Sequence, residues 1–193
     1  MLEGQDLRDA LDSIRLIEHP GPFHRYVQHR FIALALAAGA PLHVLSGEWA
    51  RKTGGRFNYP HRHRTTYLAA DAATASAEGE RTDNPARPYV HIPIRGRLQR
   101  VLDLTDMRVR ERLEVSIAQL TAEWRLLNAK GQEASSQRLG RSLYMAGSVE
   151  SVAYPSTARG GGVCLAVFPE RLARGSFLEV EDKEQILRER IPE

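Results

Sequence analysis

The chain has 193 residues, enough for one domain with a substantial core and too few to make two domains the natural expectation. Hydrophobic residues make up 42% of the sequence and charged residues 26%, which is close to soluble globular proteins and excludes disordered and fibrous classes. We therefore expect residues 1–193 to form a single globular domain.

The charge of the chain is mildly positive. The formal net charge at pH 7 is +3, and among 27 basic residues only Lys52, Lys130 and Lys183 are lysines. Codon composition can produce such a bias, but the planar fork of arginine also suits phosphate groups. The charge fits a phosphate-bearing small molecule as well as nucleic acid. Because no basic helix or repeated basic-aromatic pattern is present, we expect no direct nucleic-acid binding.

The sequence also indicates a compartment. Cys164 is the only cysteine, which excludes an internal disulfide and favours a reducing environment. The start MLEGQDLRDA lacks the basic and apolar segments of a secretory signal. The run FIALALAA at 31–38 is too short for a membrane span, so we expect it in the core. These features predict a cytoplasmic protein without a membrane segment.

The first half of the chain predicts three elements in order. Apolar residues at helical spacing predict a helix over 5–17, which the HPGP at 19–22 ends. The segment TTYLAA at 65–70 predicts a strand. Asp71 is a suitable N-cap for the alanine-rich helix that follows. Tyr67 is thus expected on a strand and Glu78 on the next helix.

The second half mixes strands and helices. Alternation in PYVHIPIRG predicts a strand at 90–94, and 98–105 predicts another. Apolar residues recur every three or four positions over 109–127, although the sequence at 115–117 also suits a break between shorter elements. A helix is predicted around 134–146, with strands at SVAYPS and VCLAVFP. Because neither βαβ alternation nor internal repeats are present, the predicted fold class is α+β.

Four segments carry a family resemblance: GGRFN at 54–58, TTYLAADAATASAE at 65–78, VLDLTD at 101–106 and VAYPSTARGGGVCLAVF at 152–168. Together and in this order they resemble the RES domain, over about residues 20–170. The arginine, glutamate and serine that name the family fall on Arg56, Glu78 and Ser156. The HRY at 24–26 occupies the place of an early family arginine, which adds Arg25 and Tyr26.

The resemblance implies a toxin of a bacterial toxin-antitoxin pair with a fold similar to ADP-ribosyltransferases. Members of the family bind NAD as a consumed substrate and break its nicotinamide-ribose bond. They pass ADP-ribose to water, phosphate or a target protein. The implied partner is an Xre-type antitoxin that covers the active site, and no metal is implied.

The implied site residues suit this chemistry. Cleavage of the bond makes the ribose cationic, and the Glu78 carboxylate can stabilise that charge or act as a base. Arg56 can grip the pyrophosphate, with Arg25 as a second clamp. Tyr67 can stack on nicotinamide, and Ser156 can donate to the carboxamide or to Glu78.

With these roles, Arg56, Tyr67 and Glu78 are the expected catalytic residues. The expected NAD-binding residues are Arg25, Tyr26, Arg56, Asn58, Tyr67 and Ser156.

Other interpretations stay open. The chain could be a non-catalytic nucleotide-binding or interaction module, or a nucleic-acid-binding module. The histidines at 61 and 63 are expected to be solvent-exposed loop residues, because no cysteine or carboxylate set completes a metal shell. The ARGGG at 158–162 lacks the P-loop lysine and predicts a hairpin. Cys164 is expected to be a buried small hydrophobic residue.

Overall fold

The computed structural model describes residues 1–37, 43–82, 88–183 and 188–192. The helices in these residues are α1 (Gly4–Asp12), α2 (His29–Ala37), α3 (Glu48–Thr53), α4 (Ala72–Thr82), α5 (Met107–Arg112), α6 (Ile117–Thr121), α7 (Trp124–Ala129) and α8 (Ser135–Ala146), with a short 3₁₀ helix at Pro169–Arg171. The strands are β1 (Ile17–Pro20), β2 (Phe23–Gln28), β3 (Thr66–Ala69), β4 (Tyr89–Asp103), β5 (Ser151–Pro155), β6 (Val163–Val167), β7 (Phe177–Val180) and β8 (Arg190–Ile191).

The strands form one mixed sheet that closes on itself. The order β2-β3-β6-β5-β4 is joined by backbone pairing at each step, and β2 also pairs with β4, so these five strands make a ring. Only the β4–β5 pairing among them is parallel. β1, β7 and β8 extend the sheet beyond the ring. The mixed sheet with flanking helices confirms the predicted α+β class.

Alternation along the strands separates two hydrophobic clusters. On β5, Val152 and Tyr154 belong to the first cluster and Ala153 to the second; on β6, Cys164 and Leu165 divide in the same way. Successive side chains of a strand point to opposite faces, so the sheet has a buried core on each side. The first core cluster also includes buried residues of α1, α6 and α8. This places helices over the face that carries the candidate site.

A buried carboxylate directly before β5 connects β4 with the segment at 173–176. Glu150 has no exposed surface. It accepts hydrogen bonds from the backbone N–H groups of Gln99, Arg100 and Ala173 and from the Ser176 hydroxyl, the bonds from Arg100 and Ser176 both measuring 2.9 Å. These hydrogen bonds stabilise the carboxylate inside the protein.

The structure corrects two predicted elements. The predicted helix over 5–17 ends at Asp12, where the Ser13 N–H donates to the Ala10 carbonyl and the Ile14 N–H to the Leu11 carbonyl. Ile17 instead pairs with β4. The strands predicted at 90–94 and 98–105 are one continuous strand, β4. The reason is long-range pairing: β1, β2, β5 and β7 each hydrogen-bond to part of β4 and carry it through.

Three further segments agree with what the sequence predicted or left open. The repeat over 109–127 is divided into α5, α6 and α7, and Ser116 caps α6 at the predicted break. The hairpin at 158–162 connects the antiparallel strands β5 and β6. In the run at 31–38, Ile32 is buried as expected, while Ala38 lies outside the described residues. Among the described helices, none is long and apolar enough to cross a membrane.

Candidate active site

Glu78 is positioned by helix α4, which starts directly after strand β3. Asp71 caps this helix: its carboxylate accepts from the Thr74 N–H at 2.8 Å and from the Thr74 hydroxyl at 2.7 Å. These hydrogen bonds lower the pKa of Asp71. The N-cap prediction is therefore confirmed. Thr74 and Glu78 are one helical turn apart and lie on the same face of α4. The cap at Thr74 therefore fixes the beginning of the helix face on which Glu78 lies.

The Glu78 carboxylate is held by the segment that follows β5. Its Oε1 accepts from the Ser156 hydroxyl at 2.6 Å and from the Thr157 N–H at 3.2 Å. The Ser156 oxygen itself accepts from the Ala158 and Arg159 N–H groups, both at 3.1 Å. A hydroxyl has one hydrogen, so these two contacts direct it toward Glu78. Glu78 is therefore oriented by a preformed turn.

Cys164 completes the surroundings of Glu78 on the sheet side. Its thiol lies 3.7 Å from Glu78 Oε1. Cys164 is buried, as predicted, and burial together with the nearby Glu78 charge raises the pKa of its thiol. The thiol is thus a neutral, weak donor to the carboxylate.

Arg56 reaches the same segment from the Gly-Gly loop. Its Nη1 donates to the Leu120 carbonyl at 2.6 Å and to the Ala122 carbonyl at 3.3 Å. Its Nη2 donates to the Thr157 hydroxyl at 3.3 Å. Since the Thr157 N–H also donates to Glu78, Thr157 contacts two of the three predicted catalytic side chains, Arg56 and Glu78. The structure therefore brings Arg56, Glu78 and Ser156 together.

Tyr67 and Asn58 lie behind Arg56 and support its loop. The Tyr67 hydroxyl accepts from the Phe57 N–H at 2.8 Å and donates to Asn58 Oδ1 at 2.7 Å. Asn58 has no exposed surface, and its Nδ2 donates to the Ala50 carbonyl at 2.6 Å. Burial raises the pKa of Tyr67, so its hydroxyl stays protonated. Both side chains are engaged with the loop backbone or its neighbours.

Arg25 and Tyr26 lie on β2, away from these contacts. Arg25 donates to the Val44 carbonyl among residues of the second core cluster, and burial lowers its pKa to about 10. Tyr26 points to the opposite face, where its ring stacks on His91 with centroids 5.1 Å apart and packs against Gly79 of α4. The structure therefore places Tyr26 against the helix of Glu78 and Arg25 on the other side of the sheet.

His63 differs from its prediction. His61 is exposed as expected, but only 7% of the His63 surface is exposed. Its ring stacks on Tyr144 with centroids 4.6 Å apart and meets the edge of Phe168 at 5.3 Å. The prediction of an exposed loop histidine is therefore wrong for His63, because ring packing buries it. Within the described residues, no group of three or more His, Cys, Asp or Glu side chains could hold a metal ion.

We expect His63 to make the stability of the protein depend on pH. Burial is the main cause that lowers its pKa, from 6.5 to about 4. The folded protein holds the neutral ring, so its contribution is fully present above pH 6.5 and is lost as the pH falls toward 4. The expected loss between pH 7 and pH 4 is about 3 kcal/mol in the free energy of unfolding. Denaturant unfolding of the wild type and His63→Phe from pH 7 to 4 measures it. An equal pH dependence in both proteins would contradict this role.

Two residues of the site were not predicted from sequence. Thr157 follows Ser156 directly, and only its position beside a candidate residue could have indicated it. Gln137 lies near the start of α8, where its buried amide donates to the Gly55 and Asn58 carbonyls. No short motif marks such a glutamine, because its partners are about 80 positions away in the chain.

Comparisons with known proteins identify the family of the chain and a protein that shares its fold. The RES domain family profile matches residues 24–186. A chain of the crystal structure of the M. tuberculosis MbcT-MbcA toxin-antitoxin complex is 23% identical, with a TM-score of 0.67 over 93% of this chain and 91% of that chain. At this identity the likeness shows a shared fold. No curated protein gives a significant match. Since the family profile spans most of the sequence, the chain belongs to the RES domain family.

Proposed function

We propose that the protein is a toxin of a toxin-antitoxin pair that consumes NAD by breaking its nicotinamide-ribose bond. Membership of the RES family and the fold shared with a chain of a toxin-antitoxin complex support the class. The observation that carries the chemistry is the contact of Thr157 with both Glu78 and Arg56. It brings a carboxylate and a guanidinium to one segment.

In the proposed reaction, the bond between the ribose C1′ and the nicotinamide nitrogen breaks, and its electron pair leaves with nicotinamide. The ribose becomes an oxocarbenium ion, as in glycoside hydrolysis. The Glu78 carboxylate stabilises that positive charge, and it can accept the proton of the incoming acceptor. A new bond then forms between C1′ and water, phosphate or a nucleophile of a target protein.

Arg56 binds the pyrophosphate in this proposal. A guanidinium has five N–H donors, so its contacts with Leu120, Ala122 and Thr157 do not exhaust it. The planar fork suits a second, bidentate contact with phosphate oxygens. Ser156 acts by fixing the orientation of Glu78 through the 2.6 Å hydrogen bond.

The remaining sequence-based roles stay predictions. Tyr67 stacks on nicotinamide in this scheme, while its hydroxyl holds the Arg56 loop. Tyr26 and Asn58 remain predicted NAD-binding residues. Tyr26 packs against α4, and Asn58 accepts a hydrogen bond from the Tyr67 hydroxyl. The role of Arg25 as a second clamp on the pyrophosphate also stays a prediction; in the structure its guanidinium donates to the Val44 carbonyl.

The test is incubation of the purified protein with labelled NAD and a bacterial lysate. We expect NAD to disappear and nicotinamide to be released. Label on a discrete protein band indicates transfer, whereas free ADP-ribose or its phosphorylated form indicates degradation with water or phosphate. Unchanged NAD would overturn the proposal and favour a non-catalytic nucleotide-binding module.

We also propose that a partner antitoxin of the Xre type silences the protein by covering the site. The motivation is the fold shared with a chain crystallised in a toxin-antitoxin complex. In the same assay, the protein copurified with the product of its neighbouring gene should leave NAD intact. Full activity of that complex would argue against coverage of the site.

A further inference from the structure

The loop that carries Arg56 is anchored by side chains from two elements. The loop turns back on itself where the Gly55 N–H donates to the Asn58 carbonyl at 2.8 Å. From strand β3, the Tyr67 hydroxyl binds the Phe57 N–H and the Asn58 amide oxygen. This contact fixes one side of the loop.

Gln137 of α8 fixes the other side. It has no exposed surface, and its Nε2 donates to the Gly55 carbonyl at 2.9 Å and to the Asn58 carbonyl at 3.2 Å. Its Oε1 accepts from the Ala134 N–H at 2.9 Å, and Asn128 forms a reciprocal amide pair with it at 2.8 and 2.9 Å. The NH₂ group and the oxygen of the Gln137 amide are therefore both hydrogen-bonded.

Two glycines allow this close seating. A Cβ atom on Gly140 of α8 would lie 1.9 Å from the Phe57 carbonyl oxygen, and a Cβ atom on Gly55 would lie 2.4 Å from the Tyr67 ring. Any larger side chain would push the loop away from α8 or from β3. The position of the Arg56 loop therefore depends on close packing against both α8 and β3.

We propose that the Gln137 amide and the Tyr67 hydroxyl position Arg56 and act on NAD only through this loop, whereas the Tyr67 ring keeps its separate predicted role at nicotinamide. The inference rests on the proposed function, in which Arg56 grips the pyrophosphate. A displacement of about 1 Å disturbs a bidentate contact strongly. The 2.6 Å hydrogen bond from the Ser156 hydroxyl orients Glu78 without involving the Arg56 loop, so loosening that loop weakens NAD binding more than bond cleavage.

Steady-state NAD consumption by Gln137→Met and Tyr67→Phe tests this proposal. We expect each variant to raise KM by about tenfold, while kcat stays within about threefold of the wild type. Leu143→Ala is the matched control: this residue is buried in the first core cluster on the same helix, so its loss should lower Tm and leave KM unchanged. Reduced kcat with unchanged KM in both loop variants would indicate a merely structural role and overturn the proposal.

A coupling experiment separates action through Arg56 from direct contact with NAD. In the Arg56→Ala background, Gln137→Met and Tyr67→Phe should cause no further rise in KM. Full additivity would overturn the proposal.

Amide hydrogen exchange tests the loop without NAD. We expect faster exchange over 55–58 in both variants than in the wild type. Unchanged exchange in both variants would overturn the positioning role, whereas failure of the wild type to consume NAD would overturn only the proposed function.

Discussion

Glu78→Gln should lower the rate of NAD consumption by about 10²- to 10³-fold, the range expected when a group that stabilises transition-state charge is removed. The amide keeps the size of the side chain but cannot offer a negative charge to the cationic ribose. The Ser156 hydroxyl and the Thr157 N–H can still donate to its oxygen, so the fold around the site should persist. Labelled NAD measures the rate, and bacterial growth after induction reports the toxic effect.

Glu80→Gln is the matched control for this change. Glu80 lies on the same helix, is exposed, and accepts from the Ser76 hydroxyl at 3.0 Å. Its variant should consume NAD and arrest growth like the wild type. If Glu78→Gln were as active and as toxic as Glu80→Gln, the carboxylate would have no part in the reaction.

Glu150→Leu should destabilise the fold by about 3–5 kcal/mol, because each buried donor that it leaves without an acceptor costs about 1–3 kcal/mol. The leucine removes the acceptor of the Gln99, Arg100 and Ala173 N–H groups and of the Ser176 hydroxyl. The Arg100 and Ala173 N–H groups then lose this acceptor and each carries a desolvation cost, while the Gln99 N–H keeps its 3.2 Å hydrogen bond to the Ser176 hydroxyl. The free energy of unfolding from denaturant titration measures the effect.

Glu18→Gln is the comparison for that experiment. Glu18 pairs with Arg97 at 2.6 Å, and both side chains are more than half exposed. Removing such a surface pair should change the free energy of unfolding by no more than about 1 kcal/mol. Equal small losses in the two variants would show that the buried carboxylate adds no more than a surface pair does.

The sequence allowed good predictions where the signal was local. Asp71 next to an alanine-rich run predicted the helix cap, and the order of four segments predicted the family and the proximity of Glu78 to Ser156. A capping residue and its helix are adjacent, so their chemistry can be read within a few positions. The family resemblance supplied the long-range part, which no single segment contains.

Predictions failed where distant contacts decide. The continuity of β4 depends on pairing with four other strands, and the burial of His63 depends on rings at 144 and 168. The role of Gln137 was not predicted for the same reason, because its partners in the Arg56 loop are 79 and 82 positions away. Tertiary contacts of this kind leave no periodic pattern in the sequence.

The order of synthesis determines when the hydrogen bonds to Glu78 can form. Ser156, Thr157 and Cys164, which donate to Glu78, lie 78 to 86 positions later in the chain, on β6 and on the segment after β5. Closing loops of this length costs entropy before any contact repays it. A nascent chain that ends before Ser156 therefore lacks the donors that hold Glu78, and this site can assemble only after the segment following β5 has been synthesised.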